Sequence, residues 1–274
     1  MRRRFFVERF DHDSATLHAE TAEHLGRVLR AEPGQLYELS DGQQVWLARV
    51  ERLALSKRGD SRIEFALVEP IEAVQPSLRI TLLLSIVKFD RFEWCLEKAT
   101  ELGVDEIIPL AAARTDKPLI AAAGKRQDRW QRILLESAQQ SRRLRPPIFG
   151  SAIRPEAAFA QANTALKILL SERREAKSLH QLIERGSPLA AQALLFTLRN
   201  EGPVRLSGPT PEPQTAPPPT ISLAVGPEGG WTDEEISAAT AHSFLEASLG
   251  TQILRTETAV IASLAILQFA LGTP

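Results

Sequence analysis

The 274-residue sequence is nearly free of cysteine, and Cys95 is its only one. Neither an internal disulfide nor a metal site built from several cysteines is therefore possible. Long apolar runs are also missing: the most apolar stretch, residues 258–271, is shorter than the roughly 20 residues that span a bilayer, and no apolar run of signal-peptide length follows the basic start. We expect a cytoplasmic protein without a membrane segment.

Several common site motifs are absent as well. No G-x-G-x-x-G follows an apolar strand, and neither a G-x-x-x-x-G-K-[ST] phosphate loop nor an H-E-x-x-H pair occurs. The five histidines are scattered, which favours surface or capping roles over metal binding, so we expect no metal. A net charge of −1 argues against a strongly basic nucleic-acid binder.

The pattern of apolar residues predicts two domains. Residues 1–72 contain short alternating segments such as 45–50 and 63–68 and one short helix near 22–29, which together predict a small β-rich domain. Residues 73–274 alternate apolar strands with helices, as α/β domains with a mainly parallel sheet do. Prolines 70 and 76 mark the expected boundary.

Within the α/β domain, strands are expected at 78–86, 106–110, 166–170, 221–225 and 244–247. Asp90, with Glu93 three residues on, is predicted to cap a helix that ends at Gly103. Residues 200–220 contain many prolines, which exclude a helix or a central strand, so this stretch is predicted to be an inserted loop.

Two glycine-containing segments are the candidates for ligand binding. Gly226-Pro227-Glu228-Gly229-Gly230 follows an apolar strand and precedes a helix that Thr232 and Glu235 cap. Its glycines let the backbone approach a ligand closely, and open α/β sheets bind ligands at the carboxyl ends of their strands. A tight structural turn is the alternative interpretation.

The second segment, LGTQILRTETA at 249–259, leads from a strand into a long helix. Thr256 is predicted to cap this helix, with Glu257 in the first turn. The helix, residues 257–271, is apolar almost all round and must be buried on most faces. It is either a core helix or, in addition, a homodimer interface over the ligand loops.

Basic residues cluster between Lys125 and Arg145: this stretch contains seven basic residues and only two acidic ones, Asp128 and Glu136. Such a patch can neutralise phosphates. A solvated helix face would have the same composition, and the sequence does not decide between the two.

Five segments, in the same order along nearly the whole chain, resemble the 16S rRNA uridine-N3 methyltransferases of the SPOUT class. They are the segments RFFV at 4–7, HLGRVLR at 24–30, LEKATELGVDEIIPL at 96–110 with the preceding Lys88, Asp90 and Arg91, GPEGG at 226–230, and LGTQILRTETA at 249–259. The resemblance implies a PUA-like β-barrel for RNA binding, a trefoil-knot methyltransferase domain, an S-adenosylmethionine cofactor and a homodimer. It implies 16S rRNA, in the small ribosomal subunit, as the substrate.

The resemblance also implies site residues by matching motifs. Those expected around S-adenosylmethionine are Leu170, Ser171, Gly226, Pro227, Glu228, Gly229, Leu249, Gly250, Ile253, Leu254 and Arg255. Those expected to contact RNA are Arg4, Arg30, Lys88, Arg91 and Arg114.

Three positions depart from the family's pattern. Gln139 stands where a glutamate usually precedes a Gln-Ser pair, which puts the role of that glutamate in doubt. Phe89 replaces a small residue, and the proline-rich insertion is unusually long.

Arg255 is the candidate catalytic residue. Uridine N3 must lose its proton to become a nucleophile, and the resulting negative charge spreads onto the flanking carbonyl oxygens. A guanidinium can donate two hydrogen bonds to that charge, although it cannot act as the base. Alternatively, Arg255 stabilises the loop at 249–255 or binds a phosphate. Glu228 and Glu257 are possible bases, and loop bracing and capping are their alternative roles.

Other functions remain open. A SPOUT methyltransferase can act on another RNA, such as tRNA, or on ribose, and a catalytically silent protein with this fold can assist ribosome assembly. A metabolic enzyme that binds phosphate through GPEGG is disfavoured because the loop has no lysine.

Overall fold

A computed structural model describes residues 3–56, 60–183 and 218–272 of the chain. By the density of contacts the chain divides into two compact units, one of residues 1–75 with 135–146 and one of residues 76–134 with 147–274. The sequence placed 135–146 in the second domain, whereas the structure groups it with the first unit. The predicted boundary at residues 72/73 stays a prediction.

The first unit is built on a five-stranded sheet. Its strands are β1 (Arg4–Phe6), β2 (Ser14–His18), β3 (Leu36–Ser40), β4 (Val45–Ala54) and β5 (Arg62–Ile71), in the order β1-β3-β4-β5-β2. All neighbouring pairs are antiparallel except β1 with β3. The predicted β-rich domain is confirmed, and closure of the sheet into a PUA-like barrel stays a prediction.

The short helix near residues 22–29 is confirmed in position but not in type. An α-helix, α1 (Ala19–Glu23), continues into a π-helical turn at His24–Val28. Ala22 and Leu25 are fully buried and pack with strand residues such as Phe5 and Phe65. The apolar spacing of the segment therefore anchors it on the sheet.

The second unit has a seven-stranded, wholly parallel sheet. Its strands are β6 (Arg79–Ser85), β7 (Glu106–Leu110), β8 (Ile148–Phe149), β9 (Leu166–Leu170), β10 (Lys177–Ser178), β11 (Thr220–Val225) and β12 (Leu245–Ser248), in the order β10-β12-β9-β11-β6-β7-β8. The strands expected from the sequence are all present within one or two residues. Their near-continuous apolar runs are typical of strands that are covered on both faces.

Helices cover this sheet on both sides. In the described part of the chain they are α2 (Phe89–Glu101), α3 (Lys117–Ala123), α4 (Gln127–Gln140), α5 (Pro155–Gln161), α6 (Leu179–Ile183), α7 (Asp233–Ala241) and α8 (Thr256–Leu271), and a 3-10 turn at Gly124–Arg126 joins α3 to α4. Residues 127–134 of α4 belong to this unit and the rest of the helix to the first. Ile80, Leu82 and Leu84 of β6 pack with residues of α2 and α8, whereas Leu83 packs in the opposite layer. The α/β class is confirmed.

Two predicted helix caps are wrong. The residue before α2 is Lys88, so Asp90 lies inside the helix, and Lys88 makes no side-chain cap. The residue before α8 is Arg255, and the hydroxyl of Thr256 instead donates a hydrogen bond to the carbonyl of Gly226 at 3.2 Å. By contrast, the capping box of α7 forms as predicted between Thr232 and Glu235.

The proline-rich stretch lies almost wholly outside the described residues. No helix of the described part of the chain is long and apolar enough to cross a membrane.

Candidate active site

A cavity of about 440 Å³ lies at the carboxyl ends of the central strands of the second unit. This volume is within the range of small-ligand pockets. Three loops line it, and they follow β9, β11 and β12, which are neighbours in the sheet although they are far apart in sequence. The parallel sheet therefore brings the two glycine-containing segments together with residues 170–171.

The sequence located most of this lining. Every residue expected around the donor lines the cavity except Gly229. Gly229 faces Arg114 instead, and a Cβ at this glycine would stand 3.2 Å from the Cβ of Arg114. Two further lining residues, Thr251 and Gln252, lie inside the segment 249–259 but were not singled out. The sequence missed other lining residues because folding brings them to the cavity and the two glycine-containing segments do not include them; they are Glu172, Arg173, Trp231, Asp233 and Ile236.

Trp231 joins two of the three loops. Its indole Nε1 donates a hydrogen bond to the carbonyl of Leu170 at 2.9 Å, and its side chain is buried. A Cβ at Gly226 would stand 3.0 Å from this ring, closer than nearly all real contacts of that kind. The first glycine of GPEGG is thus needed for its close packing on Trp231.

The left-handed backbone of two other loop positions explains their glycines. Gly230 has φ +70° and Gly250 has φ +128°, a region that side chains disfavour. A Cβ at Gly230 would also stand 3.3 Å from the Glu172 carboxylate.

The charged residues of the cavity differ in their partners. Arg91 forms an ion pair with Glu228, and Arg173 forms one with Asp233. Arg255 is exposed just before α8, and its guanidinium has no hydrogen bond or ion pair among the described residues, although its backbone carbonyl accepts a hydrogen bond from the N–H of Ala259. Among the arginines that line the cavity, Arg255 is therefore the one whose guanidinium has no partner in the described part of the chain.

The predicted RNA contacts fall into two groups. Lys88 and Arg30 are exposed, and neither has a side-chain partner in the described part of the chain; Arg30 has a left-handed backbone, φ 52°. Arg4 is partly buried and donates hydrogen bonds to Glu38 and to the carbonyl of Arg142. Arg91 and Arg114 both bond to the GPEGG loop.

Cys95 is fully buried, close enough to Glu257 to feel the charge of that carboxylate. Burial, with a smaller contribution from the charge of Glu257, raises the pKa of the Cys95 thiol to about 12. The thiol is therefore protonated near neutral pH and is not a nucleophile. Within the described ranges, no three or more histidine, cysteine or acidic residues come together as a metal site.

The fold and the loops at the strand ends define the class of protein. The RNA methyltransferase domain family matches residues 74–268, which include the whole cavity lining. The chain therefore belongs to the RNA methyltransferases. A relative 33% identical over 92% of this chain places it in the ribosomal RNA small subunit methyltransferase E family.

Named relatives support this membership over nearly the whole chain. Ribosomal RNA small subunit methyltransferase E from Synechocystis is 33% identical over 92% of this chain and 72% of its own length. The protein of the same name from Mesomycoplasma hyopneumoniae is 30% identical over 68% of each chain. A crystal structure of the Neisseria gonorrhoeae enzyme, bound to S-adenosyl methionine, has 28% identity and a TM-score of 0.77 and covers 99% of both chains.

Proposed function

We propose that this protein transfers a methyl group from S-adenosylmethionine to N3 of a specific uridine in 16S ribosomal RNA, in the small ribosomal subunit. The observation that carries the proposal is the juxtaposition of an exposed, unpaired Arg255 with a cavity formed by backbone-rich loops. Membership in the ribosomal RNA small subunit methyltransferase E family supports the substrate class.

The cavity fits the donor in size and in chemistry. Its three loops present backbone groups that can pair with an adenine edge, and Leu170, Leu249 and Ile253 are apolar side chains that can cover the flat faces. The lining carries acidic as well as basic side chains, as a donor with both charges requires. When bound, S-adenosylmethionine supplies an electrophilic methyl group on a positively charged sulfur.

Arg255 supplies the charge that the acceptor needs. Uridine N3 loses its proton before or during transfer, and the negative charge is shared by the two flanking carbonyl oxygens. A guanidinium that is free of protein partners can donate hydrogen bonds to that charge as it develops. Positioning of the base against the donor contributes further, and a uridine in folded RNA must be exposed for N3 to reach the site.

Lys88 and Arg30 are the best candidates for contacts to RNA phosphates, because both are exposed without a described partner. Arg4, Arg91 and Arg114 each donate hydrogen bonds to protein groups, which argues against a role for them as contacts to RNA phosphates.

A homodimer is part of the proposal. Ile266 and Phe269 of α8 are exposed, and Phe269 is 92% accessible. Large apolar side chains side by side on one helix are costly to leave in water and are typical of protein interfaces. The trefoil knot that the family resemblance implies also belongs to this proposal.

The test is methyl transfer from labelled S-adenosylmethionine to small ribosomal subunits from a strain that lacks the gene, with naked 16S RNA and tRNA in parallel. We expect 3-methyluridine in 16S RNA. Arg255→Ala should lower the rate about 100-fold or more, as removal of a charge-stabilising donor does, while the donor still binds. Arg174→Ala, at an exposed arginine outside the cavity lining, is the matched control and should keep the rate.

Each other outcome identifies an alternative. If the label appears in tRNA, the substrate is tRNA instead of 16S RNA. If the labelled product is a 2′-O-methylated nucleoside, the acceptor is the ribose instead of uridine N3. Donor binding without transfer to any RNA would remove the substrate claim, and no donor binding at all would favour a silent assembly factor.

A further inference from the structure

Two arginines from different segments contact consecutive residues of the GPEGG loop. Arg91, in the first turn of α2, donates to the Glu228 carboxylate. Arg114, in the loop after β7, donates from Nη1 to the carbonyl of Gly229 at 2.8 Å. The loop is therefore held by cations at both a side chain and its backbone.

A second carboxylate lies beside Arg91. Its Nε is 3.8 Å from Oε1 of Glu257, whose side chain is only 12% exposed. The other oxygen of Glu257 is buried and has no hydrogen bond among the described residues. A buried carboxylate without a nearby cation is costly, so moving Arg91 toward RNA would leave Glu257 poorly compensated.

Arg114 is also fixed by its neighbours. The buried carboxylate of Glu235 accepts hydrogen bonds from the backbone N–H of Ala113 at 2.8 Å and from that of Thr232 at 2.9 Å. The segment before Arg114 is thereby tied to the residue that caps α7, just after the GPEGG loop.

We propose that Arg91 and Arg114 are positioning residues that hold the GPEGG loop in its donor-binding shape, and that they are not contacts to RNA phosphates. This inference rests on the proposed function, because it presumes that the loop binds S-adenosylmethionine. Arg91 acts through Glu228, and Arg114 acts through the carbonyl of Gly229.

The experiment separates the two roles by two measurements on the full-length protein. The affinity for S-adenosylmethionine is measured by calorimetry, and the affinity for naked 16S RNA is measured over a range of salt concentrations. A phosphate contact contributes about 0.7 to 0.9 to the slope of log affinity against log salt. A positioning residue changes donor affinity and leaves that slope unchanged.

For Arg91→Gln we expect donor binding weaker by about threefold to tenfold, which corresponds to a partly buried ion pair. Glu228→Gln should weaken it similarly, and the double variant should lose no more than the worse single one, since both remove the same interaction. Arg91→Lys should recover part of the loss. Lys88→Gln is the control. For this variant the slope of log RNA affinity against log salt should become shallower, while the affinity for S-adenosylmethionine should equal that of the wild type.

Arg114→Gln should also weaken donor binding without a change of slope. Thermal unfolding of each variant reports whether the chain still folds. If Arg91→Gln does not fold, Glu228→Gln tests the same ion pair in its place.

A fall in slope like that of Lys88→Gln, with donor affinity intact, would show that Arg91 or Arg114 contacts phosphate. Additive losses in the double variant would show that Arg91 does not act through Glu228. If the wild-type protein binds no S-adenosylmethionine, the proposed function and this inference both fail. If the wild type binds the donor and methylates 16S RNA, the variants test this inference alone.

Discussion

At the scale of single residues, Arg91 and Arg255 have the same side chain beside the same cavity, and their partners make them different. Arg91 is paired with Glu228 and lies near Glu257, whereas Arg255 has no described partner. A guanidinium that already neutralises protein carboxylates cannot respond to new charge on a substrate without losing that pair. The paired arginine suits shaping of the loop, and the unpaired one suits stabilisation of the reacting base.

Trp231 gives a prediction at the same scale. Trp231→Phe keeps most of the ring but removes the hydrogen bond to the carbonyl of Leu170, which joins two donor loops. We expect a loss of about 1 kcal/mol in unfolding free energy, measured with urea, together with weaker donor binding. Trp46→Phe is the control, because the indole N–H of Trp46 donates to the exposed side chain of Gln44 and, among the described residues, to no other group. Equal donor affinity in the two variants would contradict a role for the Trp231 bond.

The sequence contained the glycines and Arg255 of the site, because a short motif shows them directly. It could not show that Arg91 pairs with Glu228, 137 positions away. Nor could it show that Gln139 is almost fully buried, or that Arg4 forms an ion pair with Glu38. Side-chain partners depend on the arrangement of strands, which local patterns do not encode.

At the scale of elements, strands were predicted better than helix starts. Runs such as 166–170 are apolar because both faces of the sheet are covered, and this composition is visible in the sequence. A cap depends on the backbone of one residue: Arg255 has the extended conformation that precedes a helix, φ −65° and ψ 153°. Thr256 has the side chain of a cap but bonds to Gly226, so a tertiary contact replaced the local one.

Gly103 ends α2 and gives a prediction for this scale. Its φ is +86°, and a Cβ would stand 3.0 Å from the side-chain nitrogen of Gln268. Gly103→Ala should therefore destabilise the protein by about 1 kcal/mol or more. Gly124→Ala is the matched control: Gly124 has φ −58° and open space around it, so alanine should be neutral or slightly stabilising. Urea unfolding of the two variants measures the difference, and equal midpoints would contradict the argument.

At the scale of the whole molecule, the proposed homodimer predicts the effect of a charge on α8. Phe269→Glu should convert the dimer to a monomer, because a buried, unpaired carboxylate at an interface is costly. Sedimentation or light scattering measures the mass. Val74→Glu is the control, since Val74 is 86% exposed and lies in the first unit. A wild type that is monomeric at all accessible concentrations would overturn the dimer.

The division into two compact units was only partly visible in the sequence. The change from alternating to continuous apolar strands from residue 78 onward indicated two domains, with an expected boundary at 72/73, whereas the first unit extends to residue 75 and also includes residues 135–146. Residues 135–146 comprise the end of α4 and the turn after it, and they join the first unit, where the hydroxyl of Ser40 donates to the carbonyl of Leu144 at 2.6 Å. Such a return of the chain leaves no local signal.

The strand order of the parallel sheet has a consequence for when the protein becomes active. β11 lies between β9 and β6, and β12 lies on the other side of β9, so the donor cavity exists only after residues 166–170, 220–225 and 245–248 have come together. Pairings this distant in sequence form slowly. β12, the last of these strands along the chain, supplies the loop that carries Arg255, so a chain in which β12 has not yet paired lacks part of the cavity. Under the proposed function, donor binding can thus serve as an assay of refolding that reports whether β9, β11 and β12 have all paired, which a measurement of helix content alone does not report.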